Sequence, residues 1–220
     1  MSSCRRYGYP VSLGKINLIN RGIIPVNYIA AQEGIIPAST LVENNVATFS
    51  TDSVGGLGNI TYQGFFSPAE PGKVIWGAGP VIQFPTATDD HLGTDKWSGG
   101  PGIVALAMPG NWVLGVLGYN LWSFAGPSDE ENVNFFLFQY FFNYNLSNGW
   151  YLTTTPIITA NWEANSNDRW TIPFGGGAGR LVKFGKQPVD FKAQAFWYAD
   201  APENGPEWAL QFMVKFLFPK

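Results

Sequence analysis

The chain has 220 residues, a net charge of −3, 16% aromatic residues and only 13% charged ones, against about 25% charged in an ordinary soluble chain. Its 26 glycines and 16 prolines are scattered throughout, which excludes helical bundles and coiled coils. No run of 18 apolar residues is present to cross a bilayer as a helix, and the acidic balance offers no basic patch for nucleic acid.

Ten segments alternate with period two and are bounded by turn residues, so they are predicted as strands. In chain order they are Lys15 to Tyr28, Gly58 to Phe66, Lys73 to Pro85, Trp97 to Met108, Trp112 to Phe124, Asn132 to Leu146, Trp150 to Trp162, Trp170 to Phe184, Val189 to Tyr198 and Trp208 to Phe218. Residues 1–9 are expected to be disordered or a remnant strand. They hold the single cysteine, Cys4, which gives no disulfide framework or metal cluster. The first 25 residues carry no signal-peptide pattern, so an exported protein is expected to be represented here without its leader.

Connections alternate in kind. Those at Ser12–Lys15, Pro68–Lys73, Pro109–Asn111, Ser147–Gly149 and Gly185–Pro188 are tight, with Lys15, Lys73, Lys183 and Lys186 beside them. Those starting near Ile29, Thr86, Gly126, Glu163 and Ala199 are longer, and 14 of the 16 acidic residues lie in or beside them. Short turns at one end and long polar loops at the other are the pattern of an outer-membrane β-barrel.

Strand faces sharpen this reading. The last strand places Trp208, Leu210, Phe212, Val214, Phe216 and Phe218 on one side, opposite Gln211 and Lys215. In the strand from Trp150, Tyr151, Thr153, Thr155 and Thr159 form a polar stripe; in the strand before it, Gln139 and Asn143 oppose Phe138 and Tyr140. All nine tryptophans fall near strand ends: Trp97, Trp122, Trp162, Trp170, Trp197 and Trp208 toward the loops, Trp76, Trp112 and Trp150 toward the turns. Two bands of amphipathic rings match the aromatic girdles of a membrane. Charge facing lipid at mid-depth costs roughly 2–4 kcal/mol, so the lumen lining is expected from Arg21, Gln139, Asn143, Thr153, Thr155, Arg180, Asp190, Lys192, Gln194, Gln211 and Lys215. An ion-pair network such as Asp190 with Lys192, plugging the interior, is the competing use of the same residues. Closure is expected because bare strand edges cannot remain in hydrocarbon.

Chemical motifs are sparse. Gly175 to Gly179 lacks the spacing of a phosphate loop and is followed by strand-like sequence. The only histidine, His91, could join Asp95 at a metal or act as a base, but a lone loop histidine among acids is ordinarily solvated. Asp129-Glu-Glu131 could hold a divalent cation bridging lipopolysaccharide, and reads more simply as a repelling surface loop. No catalytic residue, metal or cofactor is therefore expected.

The stretches Phe66-Ser-Pro-Ala-Glu-Pro-Gly-Lys73, Ile75-Trp-Gly-Ala-Gly-Pro80, Pro85-Thr-Ala-Thr-Asp89, Lys96-Trp-Ser-Gly-Gly-Pro101 and Asn120-Leu-Trp-Ser-Phe-Ala-Gly126 resemble bacterial outer-membrane proteins related to the phenol meta-cleavage pathway (MetA) family, often labelled transporter or neuromedin U. The likeness continues through Ile158-Thr-Ala-Asn-Trp162, Phe174-Gly-Gly-Gly177 and Phe216-Leu-Phe-Pro-Lys220 and covers nearly everything from Pro10 onward. The resemblance implies one all-β, antiparallel up-and-down transmembrane β-barrel domain, with ten strands here and twelve in a full-length protein. It also implies passive uptake of small hydrophobic or aromatic solutes across a Gram-negative outer membrane, with outer-membrane lipid, lipopolysaccharide and the barrel-assembly machinery as partners. A soluble lipocalin-like barrel holding a hydrophobic ligand is the alternative, and an outer-membrane lipid hydrolase a weaker one.

Overall fold

In a computed structural model of the protein, residues 3–29, 53–185, 187–203 and 205–217 are described, residues 3–10 and Ile29 by their backbone alone. The predicted loop from Ile29 lies outside the described residues up to residue 52, as do Lys186 and the terminal residues 218–220.

The protein is all β. Its strands are β1 (Ser3–Ser12), β2 (Ile16–Ile29), β3 (Val54–Leu57), β4 (Thr61–Pro68), β5 (Val74–Gln83), β6 (Trp97–Ala107), β7 (Trp112–Ala125), β8 (Asn134–Asn145), β9 (Trp150–Thr154), β10 (Ile157–Asn161), β11 (Trp170–Phe184), β12 (Gln187–Asp200) and β13 (Trp208–Phe216). They form one antiparallel up-and-down sheet in the order β1-β2-β4-β5-β6-β7-β8-β10-β11-β12-β13, with β3 on the far end of β2 and β9 continuing β10 between β8 and β11. Short turns and longer loops alternate from one end of the sheet to the other, as the spacing predicted. No pairing between β1 and β13 is present among the described residues.

Three predicted boundaries are corrected. Of the two alternatives expected for residues 1–9, a strand is the one observed: it runs over residues 3–12, paired with β2 from Ser3↔Val26 to Ser12↔Asn17, which gives eleven sheet positions rather than ten. The segment from Gly58 starts earlier and is broken: β3 pairs Val26↔Leu57 while β4 pairs Ile23↔Thr61, a one-residue slip that residues 58–60 absorb. The segment from Trp150 is split between Thr154 and Ile157 without losing register, because Pro156 has no N–H to give the ladder.

Prolines inside a sheet normally mark edges, yet several lie in central strands here, Pro80 and Pro101 among them. Pro80 and Pro101 face each other across the intact β5–β6 ladder, and the outer ladders pause beside them, between Gln63↔Val81 and Phe66↔Ala78 and between Gly99↔Trp122 and Gly102↔Tyr119. Backbones crowd where the ladders pause. A Cβ on Gly100 would lie 1.8 Å from the Asn120 carbonyl oxygen, and one on Gly79 1.9 Å from that of Gly64.

The sheet has one buried and one exposed face. Residues opposite each other in the ladder share a face, and Phe65, Val81, Leu117, Tyr119, Leu121, Phe135 and Leu137 form a continuous buried cluster on the inner one, with Ile19, Val104, Val133 and Ile157 packed against it. The outer face is also apolar but bare: Phe124 and Phe174 are 67% exposed and Phe212 77%. Gly100→Ala is expected to destabilise the fold by about 1–3 kcal/mol through overpacking, whereas Gly22→Ala, whose Cβ meets nothing within 4 Å, is tolerated. Urea unfolding midpoints of the two variants in detergent check this.

Candidate functional site

Following the ladder across the sheet assigns each strand residue to a face. One inner row runs Asn143–Thr153–Gly177–Gln194–Gln211, and the next Asn145–Tyr151–Gly179–Lys192–Met213. Asp190 stands opposite Lys215 on the same face. The inner face is thus divided, with a buried apolar wall over β4 to β8 and a polar wall over β9 to β13.

Glycine makes the polar wall possible. Gly177 and Gly179 put no side chain on the inner face of β11: the backbone of β12 closes in on Gly177, and a side chain of β9 reaches over Gly179 to β12. Tyr151 lies across Gly179, where an added Cβ would fall 2.2 Å from its ring, and its hydroxyl donates to Asp190 Oδ1 at 2.7 Å. Thr155 Oγ1 donates to Gln194 Oε1 at 2.8 Å, and Lys192 Nζ donates to Thr155 Oγ1 at 3.4 Å. Within the predicted Asp190–Lys192 grouping, Asp190 accepts from Tyr151 and Lys192 donates to Thr155.

A second polar station lies on β2 and β4, where Arg21 Nη1 donates to Gln63 Oε1 at 2.9 Å. Gln63 is fully buried and Gln194 is 3% exposed. Both amide nitrogens, Gln63 Nε2 and Gln194 Nε2, are buried without a hydrogen-bond partner, as are the hydroxyls of Thr153 and Ser98.

The register puts Arg21, Gln139, Asn143, Thr153, Thr155, Asp190, Lys192, Gln194, Gln211 and Lys215 on the inner face. Arg180 is the correction. It pairs with Phe191 and Trp150 on the outer face, with its guanidinium 5.1 Å from the Trp150 ring centroid. This position is close to a short turn, where a long cationic side chain can lie along apolar surface with its head at the rim and rest on an aromatic face.

All nine tryptophans lie on the outer face. Trp76, Trp112 and Trp150 stand at the turn ends of β5, β7 and β9, and Trp97, Trp122, Trp170, Trp197 and Trp208 at the loop ends of their strands. Trp162, one residue beyond β10, packs on Phe136 and Trp170, and its indole N–H donates to Asn120 Oδ1 at 3.0 Å.

The loop between β5 and β6 is folded onto β3 and β4. Buried Asn59 accepts from the N–H groups of Thr86 and Ala87 at 3.1 and 3.0 Å and donates to the Thr94 carbonyl at 2.9 Å; Leu92, in a single 3-10 turn at Asp90–Leu92, is buried beneath it. His91 bonds to Asp89 at 2.7 Å rather than to Asp95. The His91 backbone N–H, and then its ring, hold the Asp89 carboxyl below the ordinary carboxylate range. Asp129, Glu130 and Glu131 are exposed, and no cluster of three metal-ligating side chains occurs among the described residues.

At the turn end, a cleft of about 330 Å³ is lined by Asn145, Leu146, Gly149, Trp150, Tyr151, Leu181, Asp190 and Leu217. It opens beside the polar wall at Tyr151 and Asp190. Sequence reading did not select Gln63, Tyr151, Ser98 or Asn59, although the alternation already put Tyr151 on the threonine stripe.

Comparison with known protein families, with curated proteins and with solved structures finds no match to this chain.

Tyr151→Phe leaves the Asp190 carboxylate without its donor and is expected to cost about 1.5 kcal/mol, the low end for a hydrogen bond to a charged group. Urea unfolding in detergent micelles, compared with the unaltered protein, reads this loss.

Proposed function

We propose that the protein is an outer-membrane β-barrel of a Gram-negative bacterium that lets small hydrophobic or aromatic solutes cross passively, without covalent chemistry. The observation that carries this reading is the outer face: apolar side chains stand bare along the strands, bounded by tryptophans at both ends. In water such a surface would be a large aggregation-prone patch. In a bilayer it is matched to hydrocarbon, and the indoles to the two interfaces.

The antiparallel wall meets the requirement that backbone groups in lipid be paired internally. Short turns on one side and longer acidic loops on the other fit periplasmic and external ends. The divided interior supports a passage for solutes with an apolar body, since one wall offers aromatic and aliphatic contact and the other hydrogen bonds. The resemblance to the MetA-related transporters points the same way.

A soluble ligand-binding barrel is disfavoured by the same outer face, because it would have to keep Phe124, Phe174 and Phe212 in water. A lipid hydrolase would need a nucleophile for His91, whose ring is bonded to Asp89.

Phe212→Arg places a charge on the outward face in mid-strand, at a cost of roughly 2–4 kcal/mol in lipid, whereas Gln211→Arg points inward. The first is expected to abolish the heat-dependent mobility shift of a folded barrel on SDS gels and recovery in outer membranes, and the second to preserve both. Equal recovery of the two variants would sink the membrane assignment of the faces.

A further inference from the structure

Arg180 stands among apolar side chains. On the outer face its ladder row runs Trp150–Arg180–Phe191–Val214, and Phe184 packs on Phe191 with ring centroids 6.3 Å apart. The guanidinium lies 5.1 Å from the centroid of the Trp150 ring. No acceptor for its N–H groups, or for the Trp150 indole N–H, is present among the described residues.

In water such a guanidinium is solvated and needs no partner from the protein. On a face turned to lipid its donors are met by what the bilayer supplies. Trp150 opens β9 beside the turn at Ser147–Gly149, and Trp112 packs on Tyr144 at 4.8 Å at the same end of the neighbouring strands. Such rings sit at the level of lipid headgroups, where the nearest acceptors are phosphates. The planar fork of arginine matches two phosphate oxygens at once, and the indole N–H is a further donor beside it. Attraction to the Trp150 ring holds the guanidinium in place before a lipid arrives.

Charge at this end has the sign that an anionic headgroup requires. Lys15, Lys73 and Lys183 are exposed at the short turns. Of the acidic residues at this end, Glu70 is exposed in the same turn as Lys73, and Asp190 faces inward, bonded to Tyr151. The remaining acidic residues lie in or beside the long loops, so negative headgroups are drawn to the turn end and repelled from the other.

Resting on the membrane assignment proposed above, we propose that Arg180 and Trp150 form a binding site for the phosphate of an anionic phospholipid, in the leaflet that meets the short turns. The two side chains donate to the phosphodiester oxygens, and Phe191 and Val214 lie along the acyl chains. The lysines add attraction without a specific contact.

The test uses the full chain in dodecylmaltoside micelles with equimolar dioleoylphosphatidylglycerol and dioleoylphosphatidylcholine, and counts the lipids retained by native mass spectrometry. The unaltered protein is expected to prefer phosphatidylglycerol about tenfold, the equivalent of one hydrogen bond to a charged group. Arg180→Gln is expected to reduce the preference to about twofold, the part sustained by the lysines; Arg180→Lys, which keeps the charge but loses the fork, falls between. Heat-shift gels verify that the variants fold, and excess inorganic phosphate is expected to leave the lipid in place.

Equal retention of the two lipids by the unaltered protein, or an undiminished preference in Arg180→Gln, overturns the site while the membrane reading stands. Displacement of phosphatidylglycerol by inorganic phosphate overturns its assignment to lipid. An unaltered protein that shows no heat shift and stays dispersed in detergent-free buffer overturns both the site and the membrane reading.

Discussion

The backbone ladder is the constraint on which the rest of this protein depends. Both faces of the sheet carry apolar side chains over much of their area, so water is poorly placed to satisfy a peptide group that misses its neighbour. Successive strands therefore pair antiparallel with little register error, and the departures are confined to places with a local cause. Pro80, Pro101 and Pro156 each interrupt a ladder, yet Pro80 and Pro101 face each other across a ladder that stays intact, so both gaps fall on the far sides of one paired ribbon. Close backbone approach at Gly79 and Gly100 belongs to the same region.

From this wall follows the division of labour between faces. The outer side is predominantly apolar, with Arg180 lying over Trp150 near a turn as an exception. The inner side is free to vary, and it does: bulky apolar residues fill one arc, while the other is lined by amides, hydroxyls and a few charges whose partners lie two strands away. Gly179 connects the two descriptions, since it removes a side chain from the inner face of β11 and lets Tyr151 reach Asp190 on β12.

Much of this was legible in the sequence because period-two alternation reports the face of a strand directly. Gln139, Asn143, Thr153, Gln194 and Gln211 could each be assigned from parity alone. Arg180 was misread because the preceding glycines leave no alternation to follow, and charge was used in place of parity; a cation near a turn can lie over Trp150 at little cost. The first strand was left open between a strand and disorder because residues 1–9 carry no apolar alternation, although Arg5 and Arg6 pair in register with Ile24 and Ile23. Gln63 escaped notice for another reason. Its significance lies in an unpaired nitrogen 42 residues from the arginine that binds its oxygen, and no local pattern encodes a missing partner.

Asn59 has a consequence for how this end of the sheet responds to its surroundings. The loop it pins is held by an uncharged carboxamide, three backbone groups and the burial of Leu92. A neutral amide neither titrates in the ordinary range nor gathers counterions. The grip of Asn59 itself is therefore indifferent to acidity and ionic strength, whereas the turn that carries Leu92 is capped by the Asp89 carboxylate and weakens once that group is protonated.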